Sequence, residues 1–198
     1  ERFSAEIKPG ESVLVEATPQ AAEGLFRAVG GLSHWGAGRI ELPENASLHF
    51  MSDRPYLAHA ALLDVLIEPL PADRFTESQV SQALIDVGLA QLVPLLGITT
   101  HWEQELGIED QQRLGFARAL LHRPSWIYMH EATSALDAAT EDSLINLLMQ
   151  RLPDAAIVTI THRSISERPF HRRISLSTSH PPEPDPANKR ATPALRLV

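Results

Sequence analysis

The first part of the chain pairs an apolar extended segment with a segment of helical periodicity. Residues 12–15 are apolar, include two valines and follow a Pro-Gly turn pair, which indicates a strand. Apolar side chains then recur three and four residues apart, as on one face of a helix, at Leu25, Phe26, Val29 and Leu32. The pattern predicts a strand, a loop and a helix, in that order.

The middle of the chain, from residue 55 to residue 122, has a mostly helical pattern. Thr76 and Gln79 have the spacing of a capping box and precede apolar positions at helical intervals. A longer helix is predicted over residues 109–121, and it ends before Pro124 because proline restricts the residue that precedes it. We therefore expect a helical subdomain over about residues 55–122.

Short apolar runs flank this helical region and indicate further strands. These are predicted at residues 36–40, 48–51, 126–129, 156–160 and 173–176, with another helix at 141–152. Strands that alternate with helices predict an α/β fold built on a mostly parallel sheet. We expect one domain over residues 1–177, followed by a mobile, proline-rich tail over residues 178–198.

Composition narrows the function classes. The formal net charge of −8 disfavours nucleic acid as a partner, since a phosphate backbone attracts basic surfaces. The absence of cysteine excludes disulfides, zinc–thiolate sites and thiol catalysis. No apolar run approaches the roughly 20 residues that cross a bilayer, so any membrane span is expected from another segment or chain.

Three segments carry a family resemblance. Residues 110–124 (DQQRLGFARALLHRP), 126–137 (WIYMHEATSALD) and 161–163 (THR) closely resemble the signature helix, Walker B segment and switch histidine of ABC ATPases, in the family's order and spacing. Residues 35–40, 55–56 and 123–126 look like cassettes fused to membrane domains, of the peroxisomal fatty-acid transporter type and its bacterial relatives. The resemblance covers about residues 7–176.

This resemblance implies a P-loop NTPase-like core with a mostly parallel sheet and a helical subdomain. It also implies a place at the cytoplasmic face of a membrane, a transporter's transmembrane domain as partner, fused or separate, and a dimer of cassettes. ATP and magnesium are implied as cofactors by the resemblance alone.

The segment that matches the P-loop lacks the residues that bind phosphate. A P-loop uses glycines to expose backbone N–H groups, a lysine to neutralise phosphate and a serine or threonine for magnesium. The matching loop is residues 16–24, where Ala22 stands at the lysine and Glu23 at the magnesium-binding serine. Pro19 and Ala21 stand at two of the glycines. We therefore expect no bound nucleotide cofactor.

Three further nucleotide-binding positions also differ from the family pattern. Asp53 stands where the relatives have a glutamine that contacts magnesium. In the signature loop, Gly107 replaces the serine and Glu109 replaces the glycine. This loop presents a helix N-terminus to the phosphate held by the partner cassette, and Glu109 is expected to occupy the anion position itself.

The catalytic positions are partly retained. Walker B should end in Asp-Glu, but this chain has His130 and Glu131, so the aspartate that orients magnesium is missing. Glu131, Asp137 at the end of the D-loop and the switch histidine His162 match the family. Side chains of this kind also cap helices and tie loops together, and we favour that structural interpretation.

Three functions follow as hypotheses. The first is a pseudo-ATPase with a structural, docking or regulatory role in a membrane transporter. The second is a working ATPase that drives transport despite its unusual residues. The third is metal binding at the former magnesium site by His130, Glu131 and Glu23, aided by Asp53 and His162; the alternative there is a solvated pocket without a ligand.

Overall fold

The computed structural model describes residues 4–32, 38–162 and 170–176. Its centre is a five-stranded sheet in which every pairing of neighbouring strands is parallel. The strands are β1 (Ser12–Ala17), β2 (Leu48–Ser52), β5 (Trp126–His130), β6 (Ala156–Thr161) and β7 (Arg172–Leu176), in the order β2-β5-β6-β1-β7. The predicted α/β fold with a mostly parallel sheet is confirmed.

Helices and a small pair of antiparallel strands complete the described structure. A two-stranded antiparallel pair joins β3 (Ala60–Ala61) to β4 (Thr99–Thr100). The helices are α1 (Pro19–Val29), α2 (Leu62–Ile67), α3 (Glu77–Asp86), α4 (Trp102–Glu105), α5 (Ile108–His122) and α6 (Ala138–Arg151), with 3-10 turns at Ala72–Arg74 and Ala90–Leu95. Most predicted elements therefore exist, with ends that differ by a few residues.

Two apolar clusters cover opposite faces of the sheet, because side chains alternate along each strand. On β5, Ile127 and Met129 face one cluster, whereas Trp126 and Tyr128 face the other. The first and larger cluster also contains the buried faces of α2, α3, α5 and α6. The second lies under α1, whose Ala22 is fully buried in it.

Three details differ from the sequence-based expectations. Residues 38–40 form no strand, and residues 36–37 lie outside the described residues; a segment with a glycine at every second position has few side chains to pack. The region 62–106 contains short helices and 3-10 turns, since Pro69, Pro71 and Pro94 interrupt longer ones. Leu32 lies beyond the end of α1 and is exposed. The predicted tail at 178–198 lies outside the described residues.

Candidate functional site

The connection between β1 and α1 is a single residue, Thr18. Its hydroxyl accepts a hydrogen bond from the Ala21 N–H at 3.4 Å, and Pro19 occupies the first helical position. The expected loop over residues 16–24 is therefore wrong, because threonine followed by proline is a strong helix start. Pro19 has no N–H, and the Ala21 N–H already donates to the Thr18 hydroxyl. Two backbone donors that a phosphate would use are therefore removed.

The two residues at the lysine and serine positions point in different directions on α1. Ala22 is buried against the sheet. Glu23 is exposed, and its carboxylate pairs with Arg27 Nη1 at 3.1 Å, one helical turn away. The basic side chain nearest to this site in sequence is thus held on the outside of the helix by an acidic neighbour.

Glu131 follows β5 and lies in the left-handed backbone region, with φ of 51°. Its side chain is buried, and Oε1 accepts hydrogen bonds from the Thr161 hydroxyl at 2.7 Å and the His162 backbone N–H at 2.9 Å. The same oxygen lies 3.0 Å from His162 Nδ1. The structure therefore brings Glu131 and His162 together at the carboxyl ends of β5 and β6. Sequence reasoning missed Thr161 as a partner.

His130, which replaces the Walker B aspartate, packs against α1. Its ring centroid lies 5.2 Å from that of Phe26, and the two rings are tilted by 30°. Among the residues that the structure describes, no group of three or more histidine, aspartate or glutamate side chains could hold a metal ion. His130, Glu131 and Glu23 have separate partners and do not converge, so the metal hypothesis is not carried further.

The start of α5 is arranged differently from the expectation. Gly107 is the N-cap residue, and Glu109 lies in the first turn. The Glu109 carboxylate pairs with Arg113 Nη2 at 2.6 Å, and Arg113 Nη1 also donates to the Val87 carbonyl at 3.3 Å. Glu109 does not fill the anion position beyond the helix end, because Arg113, one turn later, draws its carboxylate back along the helix.

Gln112 of α5 links two loops of the site. Its Nε2 donates to the Asp53 carbonyl oxygen and to Ser134 Oγ, each at 2.9 Å, and its Oε1 accepts from the Ala135 N–H at 3.0 Å. The Asp53 side chain is exposed, so this position contributes its backbone to the contact.

Asp137 caps α6. Its carboxylate accepts from the Thr140 N–H and the Thr140 hydroxyl, both at 2.9 Å. These two hydrogen bonds hold the pKa of Asp137 below its usual range. This arrangement matches the helix-capping alternative for that residue.

Comparison with known proteins agrees with this architecture and with the motifs. A Haemophilus influenzae protein named an uncharacterized ABC transporter ATP-binding protein is 35% identical over 171 residues, which cover 86% of this chain and 29% of the relative. The inner membrane ABC transporter ATP-binding protein YddA of Escherichia coli is 29% identical, over 82% of this chain and 29% of its own length. This chain is a homologue of ABC transporter ATP-binding proteins.

The ABC relatives include members of the D family. ABC transporter D family member 1 of Arabidopsis thaliana is 28% identical over 82% of this chain and 13% of the relative. The chain thus spans less than a third of the length of these ABC proteins. No protein-family model matches it. In the described part of the chain, no helix has the length and apolar character needed to cross a bilayer.

Proposed function

We propose that this chain is an ABC-cassette module that has lost ATP hydrolysis and serves a membrane transporter as a structural, docking or regulatory element. One observation carries the proposal: a single residue, Thr18, connects β1 to α1, so the segment at the P-loop position is already helix from Pro19. A P-loop binds phosphate through a loop of unpaired backbone N–H groups at this position, between the strand and the helix.

The charges at this position also oppose a triphosphate. Between residues 12 and 32 the one basic side chain is Arg27, and it pairs with Glu23. A carboxylate about 4 Å from a phosphate oxygen, in surroundings of intermediate polarity, is repelled by about 4 kcal/mol per pair of unit charges. Solvent and the pairing with Arg27 reduce this repulsion for Glu23, but the same pairing leaves no basic side chain between residues 12 and 32 to neutralise a phosphate.

The partner-facing half of an ABC site is changed as well. At the start of α5, Gly107 and Glu109 stand where the family pattern has a serine and a glycine, and the Glu109 carboxylate pairs with Arg113 at 2.6 Å. His130 packs on Phe26 at the position of the magnesium-orienting aspartate. Because a composite site takes one half from each cassette, changes in both halves weaken both sites of a dimer.

A working ATPase is the second candidate. It is favoured by the contact between Glu131 and His162 at 3.0 Å, which joins the two retained positions that would activate water and sense phosphate. If this candidate is correct, phosphate release should be measurable and should fall at least about a hundredfold in Glu131→Gln, as expected for removal of a general base.

Isothermal titration of the chain with magnesium-ATP tests the proposal. We expect no saturable heat up to about 1 mM nucleotide, the range of weak binding. The matched segment of the Haemophilus influenzae relative, tested in the same buffer, serves as the positive control. Micromolar binding together with turnover that Glu131→Gln removes would contradict the proposal.

The partners are part of the same proposal. We infer a transmembrane domain, fused or separate, at the cytoplasmic side of a membrane, and a cassette dimer that forms without nucleotide. Light scattering after size-exclusion chromatography tests the dimer; a monomer at about 100 μM, well above micromolar affinities, would contradict this part.

A further inference from the structure

A cavity of about 210 Å³ lies along β2 where the strand faces α5. Its wall includes His49 and Met51 of β2 and Gln112, Gly115 and Arg118 of α5. None of the positions that correspond to the nucleotide site, Ala22, Glu23, Asp53, Gly107 and Glu109, contributes to this wall. The cavity is therefore distinct from these five positions, although Gln112 lies both in its wall and between the loops at Asp53 and Ser134.

Basic side chains gather at this cavity. Arg118 Nη2 donates to the Glu68 carbonyl at 3.0 Å, while its buried Nε has no acceptor among the described residues. The His49 ring meets the His122 ring edge-on, with centroids 5.7 Å apart. His122 Nε2 lies 3.1 Å from the Leu66 carbonyl oxygen, which fixes its position beside His49. A buried donor without an acceptor is costly unless something binds it.

The charges around the cavity are unbalanced. Burial, together with repulsion from His122 and Arg118, lowers the pKa of His49 to about 4, and a hydrogen bond with the Gly115 backbone opposes this shift. Burial also lowers the pKa of Arg118, and the carboxylate of Glu68 opposes that effect. Glu68 is exposed to solvent, which screens its charge. An anion in the cavity would balance the charge of Arg118 and make protonation of the His49 ring less unfavourable.

We propose that this cavity binds a small carboxylate, which pairs with the guanidinium of Arg118 and lies beside the ring of His49. A planar carboxylate matches the guanidinium fork. A monoanion also balances the single full charge of Arg118, whereas a phosphate dianion would bring a second charge into a partly buried place. The apolar wall, with Met51 and Ala132, suits a ligand that carries a hydrocarbon group.

The test uses benzoate as the probe, with acetate and inorganic phosphate for comparison. NMR titration should show saturable benzoate binding with shifts of the His49 ring signals. Arg118→Gln should weaken this binding at least about tenfold, because a charge-assisted hydrogen bond is lost. The matched control is Arg74→Gln, which makes the same charge change at an exposed position of a 3-10 turn and should leave benzoate binding unchanged.

A measurement on the unmodified chain keeps the proposal testable if Arg118→Gln fails to fold. The pKa of His49, followed by NMR, should rise when benzoate is added, because a bound anion favours the charged ring. The proposal is overturned if benzoate does not saturate, if it leaves the His49 pKa unchanged, or if both arginine variants weaken it equally. Tighter binding of phosphate than of benzoate overturns the assignment to carboxylates. None of these outcomes depends on whether ATP binds.

Discussion

At the scale of single residues, the side chain of Gln112 makes three hydrogen bonds within the site. It is buried, and its amide joins the loop at Asp53 to the loop at Ser134 and Ala135. None of these contacts involves a nucleotide. The presence of Gln112, which also matches the ABC ATPase pattern, is therefore explained by its packing and hydrogen bonds within the protein.

Replacing Gln112 by leucine should lower the free energy of unfolding by about 2–4 kcal/mol. Leucine fills a similar volume but leaves a backbone carbonyl, a backbone N–H and a hydroxyl without partners. Urea unfolding followed by circular dichroism measures the change. Gln104→Leu, at an exposed position of α4, is the control and should stay within about 0.5 kcal/mol.

His49 makes stability depend on pH. The pKa of its ring is about 4 in the folded chain and 6.5 in the unfolded chain, so the unfolded state binds more protons between these values. This contribution is complete above pH 6.5 and is lost as the pH falls toward 4; His122, whose pKa is also lowered, acts in the same direction.

Between about pH 7 and about pH 4, the free energy of unfolding should therefore fall by up to roughly 3 kcal/mol through His49. Urea unfolding in a buffer free of carboxylates measures it. His49→Gln should make the decline shallower, whereas His59→Gln, at an exposed position, should not. An equal decline in all three proteins would contradict the assignment to His49.

At the scale of secondary-structure elements, the start of a helix could be predicted from the sequence when its capping residues lie within a few positions of each other. The capping box of α3 is present as predicted: Gln79 N–H donates to Thr76 Oγ1 at 3.2 Å, and Thr76 N–H donates to Gln79 Oε1 at 2.8 Å. The start of α1 had an equally local signal in Thr18 and Pro19. Alignment to the P-loop led us to expect a loop there, and that expectation was wrong.

Thr76→Ala should destabilise the chain by about 1 kcal/mol, because a helix N–H loses its acceptor. Gln79→Ala should cost a similar amount, and the double variant should cost less than the sum, since the two side chains act as one box. Thermal unfolding of the four proteins measures this coupling. Ser78→Ala, exposed on the same turn, should change stability by less than about 0.5 kcal/mol, and strict additivity of the pair would contradict the box.

At the scale of the whole molecule, the larger apolar cluster joins the helical region to the sheet. It contains Leu66 and Leu84 from the helices and Ile127, Leu148 and Ile157 on and beside the sheet. A shared core of this kind couples the unfolding of its parts. The helical subdomain is therefore expected to unfold together with the sheet.

Two buried tryptophans can test this coupling, Trp102 in α4 and Trp126 in β5. In a Trp35→Phe background, the Trp102→Phe and Trp126→Phe variants each leave one reporter. Adding Leu66→Ala should lower the free energy of unfolding by about 2–5 kcal/mol at both reporters. Urea unfolding by fluorescence measures it. A shift seen by Trp102 but not by Trp126 would show that the regions unfold separately.

Much of the fold could be predicted because its signals are periodic and local. The apolar runs of β1, β5 and β6 and the helical spacing in α5 and α6 depend on neighbours in the chain. The prediction of a strand failed at residues 38–40, which are irregular although Ile40 packs against the second apolar cluster. It also failed for the contacts of Glu109. A carboxylate at this position can pair either with the helix end or with an arginine one turn away, and only the three-dimensional geometry decides which partner it takes.

The amino-acid sequence by itself determined the likeness to ABC transporter ATP-binding proteins and the alternation of strands and helices, and it predicted that the lysine and the magnesium-orienting aspartate are missing. These are matters of residue type and order, which require no knowledge of distant neighbours. Only the tertiary structure decided that Glu131 meets Thr161 and His162, that Gln112 joins two loops, and that His49 and Arg118 share a cavity. Those pairs are brought together by strand order and helix packing, which bring residues far apart in the chain within hydrogen-bonding reach.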